Sequence, residues 1–186
     1  MRKLIYANNI SLDGCCDHTK MVASEDLHVY HGKILREAGV LLYGRKTYEL
    51  MVPFWPDVAR NRSGGTKSMK DFAEAFESVE RIVVFSKTLK DPADERTTVF
   101  RGSLKEEILK LKQEPGKDIV VGGVDLPNQL MKLGLIDEYR IVVLPVVVGG
   151  GRRLAEGSNL PELLQLKLVD TQTFPSGCVA LRYVKS

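Results

Sequence analysis

The chain has 186 residues, of which 44% are hydrophobic and 27% charged, the composition of one globular domain. Its formal net charge is +3, from 27 basic and 24 acidic side chains. No basic stripe concentrates that charge, which argues against a nucleic-acid binder and is compatible with an anionic small-molecule ligand. No apolar segment approaches the roughly 20 residues that cross a bilayer, and the opening MRKLIYANNISLDG has too short an apolar stretch for a signal sequence.

Strand-like and helix-like patterns alternate from the N-terminus. Leu4 to Ile10 reads as a strand. Ser24 to Ala38 is predicted helical, capped by Ser24, with an apolar stripe of Leu27, Val29, Tyr30, Ile34 and Leu35. Val40 to Tyr43 is a short strand ending at Gly44. The Pro, Asn, Arg and Gly-Gly content of Pro53 to Lys67 predicts a mobile loop. Thr66 to Phe76 is predicted helical through Met69, Phe72, Ala73 and Phe76. Arg81 to Phe85 and Thr97 to Phe100 read as strands, and Ser103 caps a helix through Leu111. Ile119 to Val121 is a strand, and Asp125 to Leu133 a helix stopped by Gly134. Glu138 to Val148 is a long β-branched segment, broken by Gly149 to Gly151. Leu166 to Thr173 and Cys178 to Val184 form a hairpin around Pro175-Ser176-Gly177. The alternation implies an α/β fold with a mostly parallel sheet and helices on its faces, and the hairpin adds antiparallel strands at one edge.

In an open α/β sheet, ligands bind beyond the carboxyl ends of the strands, and three such ends carry unusual residues. In LLYGRKTYE a strand ends at Gly44, and Arg45, Lys46 and Thr47 open a helix or turn, where N–H groups and basic side chains favour an anion. In IVVFSKTL the strand ends in Ser86 and Lys87, which suit a 2′-phosphate where an NAD site would place an acidic residue. In VVGGVDLPNQL, Gly122 and Gly123 serve either a tight turn or a close backbone approach to a phosphate. No Gly-Lys-Ser/Thr follows, so this is not a triphosphate loop, and it is not GxGxxG. Each motif alone also reads as an ordinary polar strand exit.

Other residues offer weaker signals. Asp13, in NISLDGCCD, is either a catalytic carboxylate or part of an Asp-Gly turn. Glu25 and Asp26 lie in a first helical turn, where negative charge is favourable anyway; an acid there can also relay a proton to a heterocycle. Trp55 and Phe54 are expected to close over a substrate; for Trp55 the alternative is a loop anchor packing on the core, since large aromatic side chains serve both uses. His28 and His31 supply two ligands and no third, so no metal site is expected. Cys15, Cys16 and Cys178 make neither a disulfide framework nor a zinc pattern and are expected as reduced thiols in the cytoplasm. No GxSxG nucleophile elbow occurs.

Taken in order, the strand ending in SLDG, then SEDLHVYH, LLYGRKTYE, IVVFSKTL, IVVGGVDLPNQL and LIDEYRIVVLPVVVGGGRRL, resemble the dihydrofolate reductase-like superfamily. The likeness spans nearly the whole chain. It is closest to the branch related to the reductase domain of the riboflavin-pathway deaminase–reductase, which includes small stand-alone bacterial proteins. The resemblance implies a single dihydrofolate reductase-like domain with a central, mostly parallel mixed sheet of about eight strands. It implies NADPH as cofactor and a homodimer. Gly44, Arg45, Lys46 and Thr47 would contact the cofactor phosphates, Ser86 and Lys87 the 2′-phosphate region, and Gly122 and Gly123 the pyrophosphate, with Val124 and Asp125 at the helix start. Ala7 would line the nicotinamide pocket. Asp26 falls where dihydrofolate reductases place the acid that contacts the pterin, and Asp13 is similar to a residue near the nicotinamide. No zinc-bearing deaminase motif precedes these residues, so a bifunctional riboflavin enzyme is not expected. The implied activity is NADPH-dependent reduction of a pterin-like or pyrimidine-like heterocycle or a carbonyl. The competing expectation is a non-catalytic NADP(H) or nucleotide binder on the same fold.

Overall fold

The structure, a computed structural model, describes residues 1–60, 64–157, 159–160 and 163–186. The strands are β1 (Leu4–Ser11), β2 (Ala38–Gly44), β3 (Arg81–Phe85), β4 (Thr97–Phe100), β5 (Asp118–Val121), β6 (Glu138–Leu144), β7 (Leu166–Thr173) and β8 (Val179–Lys185). The helices are α1 (Glu25–Arg36), α2 (Arg45–Ala59), α3 (Lys67–Glu77), α4 (Leu104–Gln113) and α5 (Asp125–Lys132). The eight strands form a mixed sheet in the order β4-β3-β2-β5-β1-β6-β8-β7. β2 and β3, β3 and β4, and β1 and β6 pair in parallel. β8 is antiparallel to both β6 and β7, which is the expected C-terminal hairpin. Among the described residues no helix is long and apolar enough to cross a membrane.

The chain packs as two compact units. The first comprises Met1–Arg2 and Ala23–Val120. Its core is the apolar run Val40 to Tyr43 of β2, Ile82 to Val84 of β3, and Phe72, Phe76, Ile108 and Leu111 from the helices, all buried. α3 packs against both α1 and α2, and its buried Phe72, Ala73, Ala75 and Phe76 recur at helical spacing. Arg96 closes the C-terminal end of α3. Its guanidinium donates to the carbonyls of Phe76, Glu77 and Val79 at 3.2, 2.8 and 3.1 Å, and it pairs with Asp94 at 2.6 Å. The buried Arg2 donates its own N–H to Lys112 O at 2.9 Å and its guanidinium to Lys117 O, and lies 3.6 Å from Glu114.

The second unit comprises Lys3–Val22 and Val121–Ser186. Parallel pairing of β1 with β6 runs from Ile5 opposite Glu138 to Ser11 opposite Leu144. The Leu4 N–H donates to Asp137 Oδ2 at 2.7 Å. Glu138, 1% exposed, accepts from Arg140 at 2.6 Å and Arg182 at 2.8 Å. Burial pushes its carboxyl up, but those two guanidinium groups overcome it and hold the pKa below the ordinary range.

Three expectations about elements need correction. The mobile loop predicted for Pro53 to Lys67 is helical up to Ala59, with Pro53 and Pro56 inside α2. Residues 61–63 of that loop lie outside the described residues. Tyr48, Val52 and Pro56 recur every four residues and are buried, so burial of this stripe outweighs the hydrogen bonds the prolines cannot make. The first helix ends at Arg36, and Ala38 already belongs to β2. Ser24 is at its cap position but makes no side-chain cap bond, and Val29 is 47% exposed. The β-branched run to Val148 stops as a strand at Leu144, because Pro145 has no N–H to donate to a ladder and the Val148 N–H goes to Asp13 instead.

Candidate functional site

In the first unit Gly44 closes β2, Arg45 to Thr47 follow it, and Ser86 and Lys87 follow the end of β3, which lies beside it. Gly44 is in register with Phe85, so Arg45 and Ser86 leave neighbouring strand ends. α2 begins at Arg45 with Gly44 as its cap, no side-chain cap bond and no acidic residue in its first turn. α3 and α4, by contrast, are capped by the Thr66 and Ser103 hydroxyls. Arg45 Nη1 donates to Thr88 Oγ1 at 2.9 Å, and Nε to Glu49 at 2.6 Å. Ser86 Oγ accepts from the N–H groups of Thr88 and Leu89 at 3.2 and 3.0 Å, which shapes the exit from β3. Lys46 and Lys87 are exposed and Thr47 is half-buried. The result is a basic, hydroxyl-rich surface at two adjacent strand ends, chemically suited to a phosphate.

Trp55 and Phe54 belong to α2. The Trp55 ring centroid lies 4.3 Å from Phe72 of α3 and 5.9 Å from His28 of α1. Trp55 therefore packs α2 against both helices. Phe54 stacks edge-on to Trp55 at 4.9 Å and remains 44% exposed. Burial holds the His28 imidazole below its ordinary pKa. Asp26 is half-buried in the first turn of α1, beside the exposed Glu25.

In the second unit Gly122 and Gly123 follow Val121, and α5 begins with Val124 as its cap, without a side-chain cap bond. Gly123 has φ +88, a conformation that a Cβ makes costly. Its carbonyl accepts from Tyr6 Oη at 2.9 Å and from Asn8 Nδ2 at 3.3 Å. Asn8 Nδ2 also donates to Tyr6 Oη at 3.0 Å. Ala7, between them on β1, points to the opposite face of the strand. Asp125 receives the Arg152 guanidinium.

Asp13 has a well-defined set of partners. Its Oδ1 accepts from Ser11 Oγ at 2.6 Å and from the Val148 N–H at 3.1 Å, and its Oδ2 from the Gly149 N–H at 2.9 Å. The Ser11 hydroxyl first, then these amides, hold its carboxyl well below the usual range. The Asp13 carbonyl accepts from Arg153, Leu12 N–H donates to Val146 O at 2.8 Å, and Cys16 N–H to Arg152 O at 2.7 Å. Asp13 thus ties the segment after β6 to the turn after β1.

Tyr6, Asn8, Thr88 and Arg152 were not singled out by sequence reasoning. Tyr6 and Asn8 carried one signal, two polar-tipped residues at strand period 2, but a strand pattern cannot show which turn they reach. Thr88 and Arg152 carried none beyond their place near a motif.

The model of the RibD C-terminal domain family matches residues 2–180 of the chain. Two uncharacterized proteins of Bacillus subtilis (strain 168) are similar in sequence. YyaP is 35% identical over 150 residues, covering 80% of this chain and 75% of its own length. YwjB is 28% identical over 201 residues, covering 100% and 99%. Among solved structures, a putative riboflavin biosynthesis protein from Shewanella superposes with a TM-score of 0.70 at 18% identity, over 99% of each chain. A pyrimidine reductase-like protein from Corynebacterium diphtheriae gives 0.68 at 15% identity, over 100% of this chain and 92% of its own. At these identities the structures share the fold.

Proposed function

We propose, from the premise that the chain belongs to the RibD C-terminal domain family, that it is an NADPH-dependent reductase. Its substrate is a small pyrimidine-like or pterin-like heterocycle, or a carbonyl compound. The observation that carries this reading is the pair of strand ends at Gly44 and Phe85. They are in register, lead into Arg45, Lys46, Ser86, Lys87 and Thr88, and sit at a helix start that no side chain caps. A cationic, hydroxyl-bearing surface of this kind fits a 2′-phosphate and disfavours the bare ribose hydroxyl of NADH.

NADPH, when bound, supplies the hydride. The chain's residues bind and orient. Arg45, Lys46 and Lys87 neutralise phosphate charge, while Thr47 and Ser86 add hydroxyl contacts. The Gly122-Gly123 turn leads into α5, whose start has no side-chain cap bond, and is assigned to the pyrophosphate, with no Cβ at either glycine. Ala7, on β1, is assigned to the nicotinamide side. Asp26 is proposed to hold or deliver a proton to the substrate, with Phe54 offering its exposed ring as a substrate contact. Both Asp13 oxygens are committed to a hydroxyl and two amides, which gives that carboxylate a use in holding the loop after β6.

Titration of NADPH and NADH by fluorescence tests the cofactor assignment. The expected result is tighter binding of NADPH, with the preference collapsing at least tenfold in Lys87→Ala. Equal weak binding of both nucleotides would overturn it. A screen of pyrimidines, pterins and carbonyls, following loss of the reduced nicotinamide, then separates a reductase from a nucleotide-binding protein without turnover. In Asp26→Asn, turnover is expected to fall with NADPH binding retained.

A further inference from the structure

The amides at the start of α5 that have no intrahelical acceptor are those of Val124, Asp125 and Leu126, because Pro127 carries no N–H. Of these, the Val124 N–H belongs to the peptide unit whose carbonyl is that of Gly123. A peptide unit is planar and trans, so its C=O and N–H point in opposite directions. Whatever holds the Gly123 carbonyl also sets the direction of the Val124 N–H.

Two side chains hold that carbonyl. Tyr6 Oη donates to it at 2.9 Å, and Asn8 Nδ2 at 3.3 Å. Both donors come from one face of β1, and Asn8 Nδ2 also donates to Tyr6 Oη at 3.0 Å, so the three groups close a triangle. The triangle stands on rigid ground. Tyr6 is fully buried, its ring meets Tyr139 edge-on at 6.2 Å, and β1 is in register with β6 along its length. Burial also pushes the Tyr6 phenol above its ordinary pKa, so it stays a donor. Gly123 completes the arrangement: its φ of +88 lies in the left-handed region that favours glycine.

We infer that Tyr6 and Asn8 are positioning residues for the dinucleotide: they lock the Gly123–Val124 peptide from β1 and thereby aim the Val124 N–H, opposite to them, at the cofactor pyrophosphate. This rests on the NADPH reading above. Neither side chain touches the cofactor in this account. Preorganisation of a backbone donor spares the binding event the cost of ordering the turn.

The test compares wild type, Tyr6→Phe and Asn8→Ala, the second variant standing in where loss of the buried hydroxyl prevents folding. The order parameter of the Val124 amide is measured by nitrogen-15 relaxation without nucleotide, and affinities for NADPH and for 2′-AMP by titration. 2′-AMP carries the 2′-phosphate but no pyrophosphate. The expected result is a more mobile Val124 amide and NADPH binding weaker by about tenfold, with 2′-AMP affinity within twofold of wild type. Unchanged NADPH affinity in both variants overturns the positioning role. An equal loss for NADPH and 2′-AMP also overturns it, since that pattern marks general structural damage. Failure of the wild type to bind NADPH overturns the cofactor reading itself and the positioning role with it.

Discussion

Arg45 donates to the Thr88 hydroxyl at 2.9 Å, and this bond joins the start of α2 to the loop that leaves β3. It brings two sequence motifs, GRKT and SKT, onto one surface. The surface is built on register, because Gly44 and Phe85 are paired neighbours in parallel strands.

Arg45→Ala is expected to weaken NADPH binding about tenfold while barely changing stability. The Arg45–Glu49 pair is an exposed i,i+4 contact, worth about 0.3–0.5 kcal/mol. A shift in the unfolding midpoint below about 2 °C is therefore expected. Calorimetry of folding and binding on the same variant checks both halves, and a large loss of stability would refute the assignment of Arg45 to binding.

Gly39→Ala is expected to destabilise the first unit. A Cβ at that position would lie 2.6 Å from Arg2 Nη2 and 3.3 Å from both Cβ and O of Lys117. Arg2 is 7% exposed and held by Lys117 and Glu114, so it cannot swing away cheaply. Overpacking of this kind costs about 1–3 kcal/mol, read as a lower midpoint in urea or heat. A midpoint equal to wild type would show that Arg2 has another resting place.

Asp13→Ala is expected to free the segment after β6. The Val148 and Gly149 amides lose their acceptor, and their hydrogen exchange should rise at neutral pH. The carboxyl of Asp13 is lowered in the folded state, so its contribution is fully present above the ordinary Asp value of about 3.9 and declines as pH falls below it. The wild type and the variant should therefore converge in acid. If they stay equally different down to low pH, the clamp does not depend on the ionised carboxylate.

His31 sets a second pH dependence with the same sign. Burial, and secondarily the neighbouring His28, lower its pKa to about 4. In the unfolded chain it titrates near 6.5. Between these values the unfolded state binds the extra proton, so stability is full above about pH 6.5 and falls as pH drops toward 4. His31→Gln should flatten this part of the stability profile by about one proton per molecule. An unchanged slope in chemical denaturation would place the effect elsewhere.

Much of the fold was legible in the sequence because its elements announce themselves locally. Arg81 to Phe85 and Thr97 to Phe100 are the observed β3 and β4 to the residue. Ser103 caps α4 through its hydroxyl, as expected. Such signals are carried by a few neighbouring residues. The loop predicted at Pro53 failed for the same reason: two prolines forecast a break, while the outcome depended on the stripe Tyr48, Val52 and Pro56 finding a buried face.

The alternation of strands and helices, the family, and the residue types at three strand ends can all be read along the chain. Side-chain chemistry and period are written in the chain, and six motifs in fixed order are hard to meet by chance. What those residues touch depends on the folded arrangement. It gave both Asp13 oxygens to a loop, set Trp55 against Phe72 and His28, and brought Tyr6 and Asn8 to the carbonyl of Gly123. Tyr6 and Gly123 are more than a hundred residues apart. No local pattern encodes that meeting, because it depends on which strand places its face beside which turn.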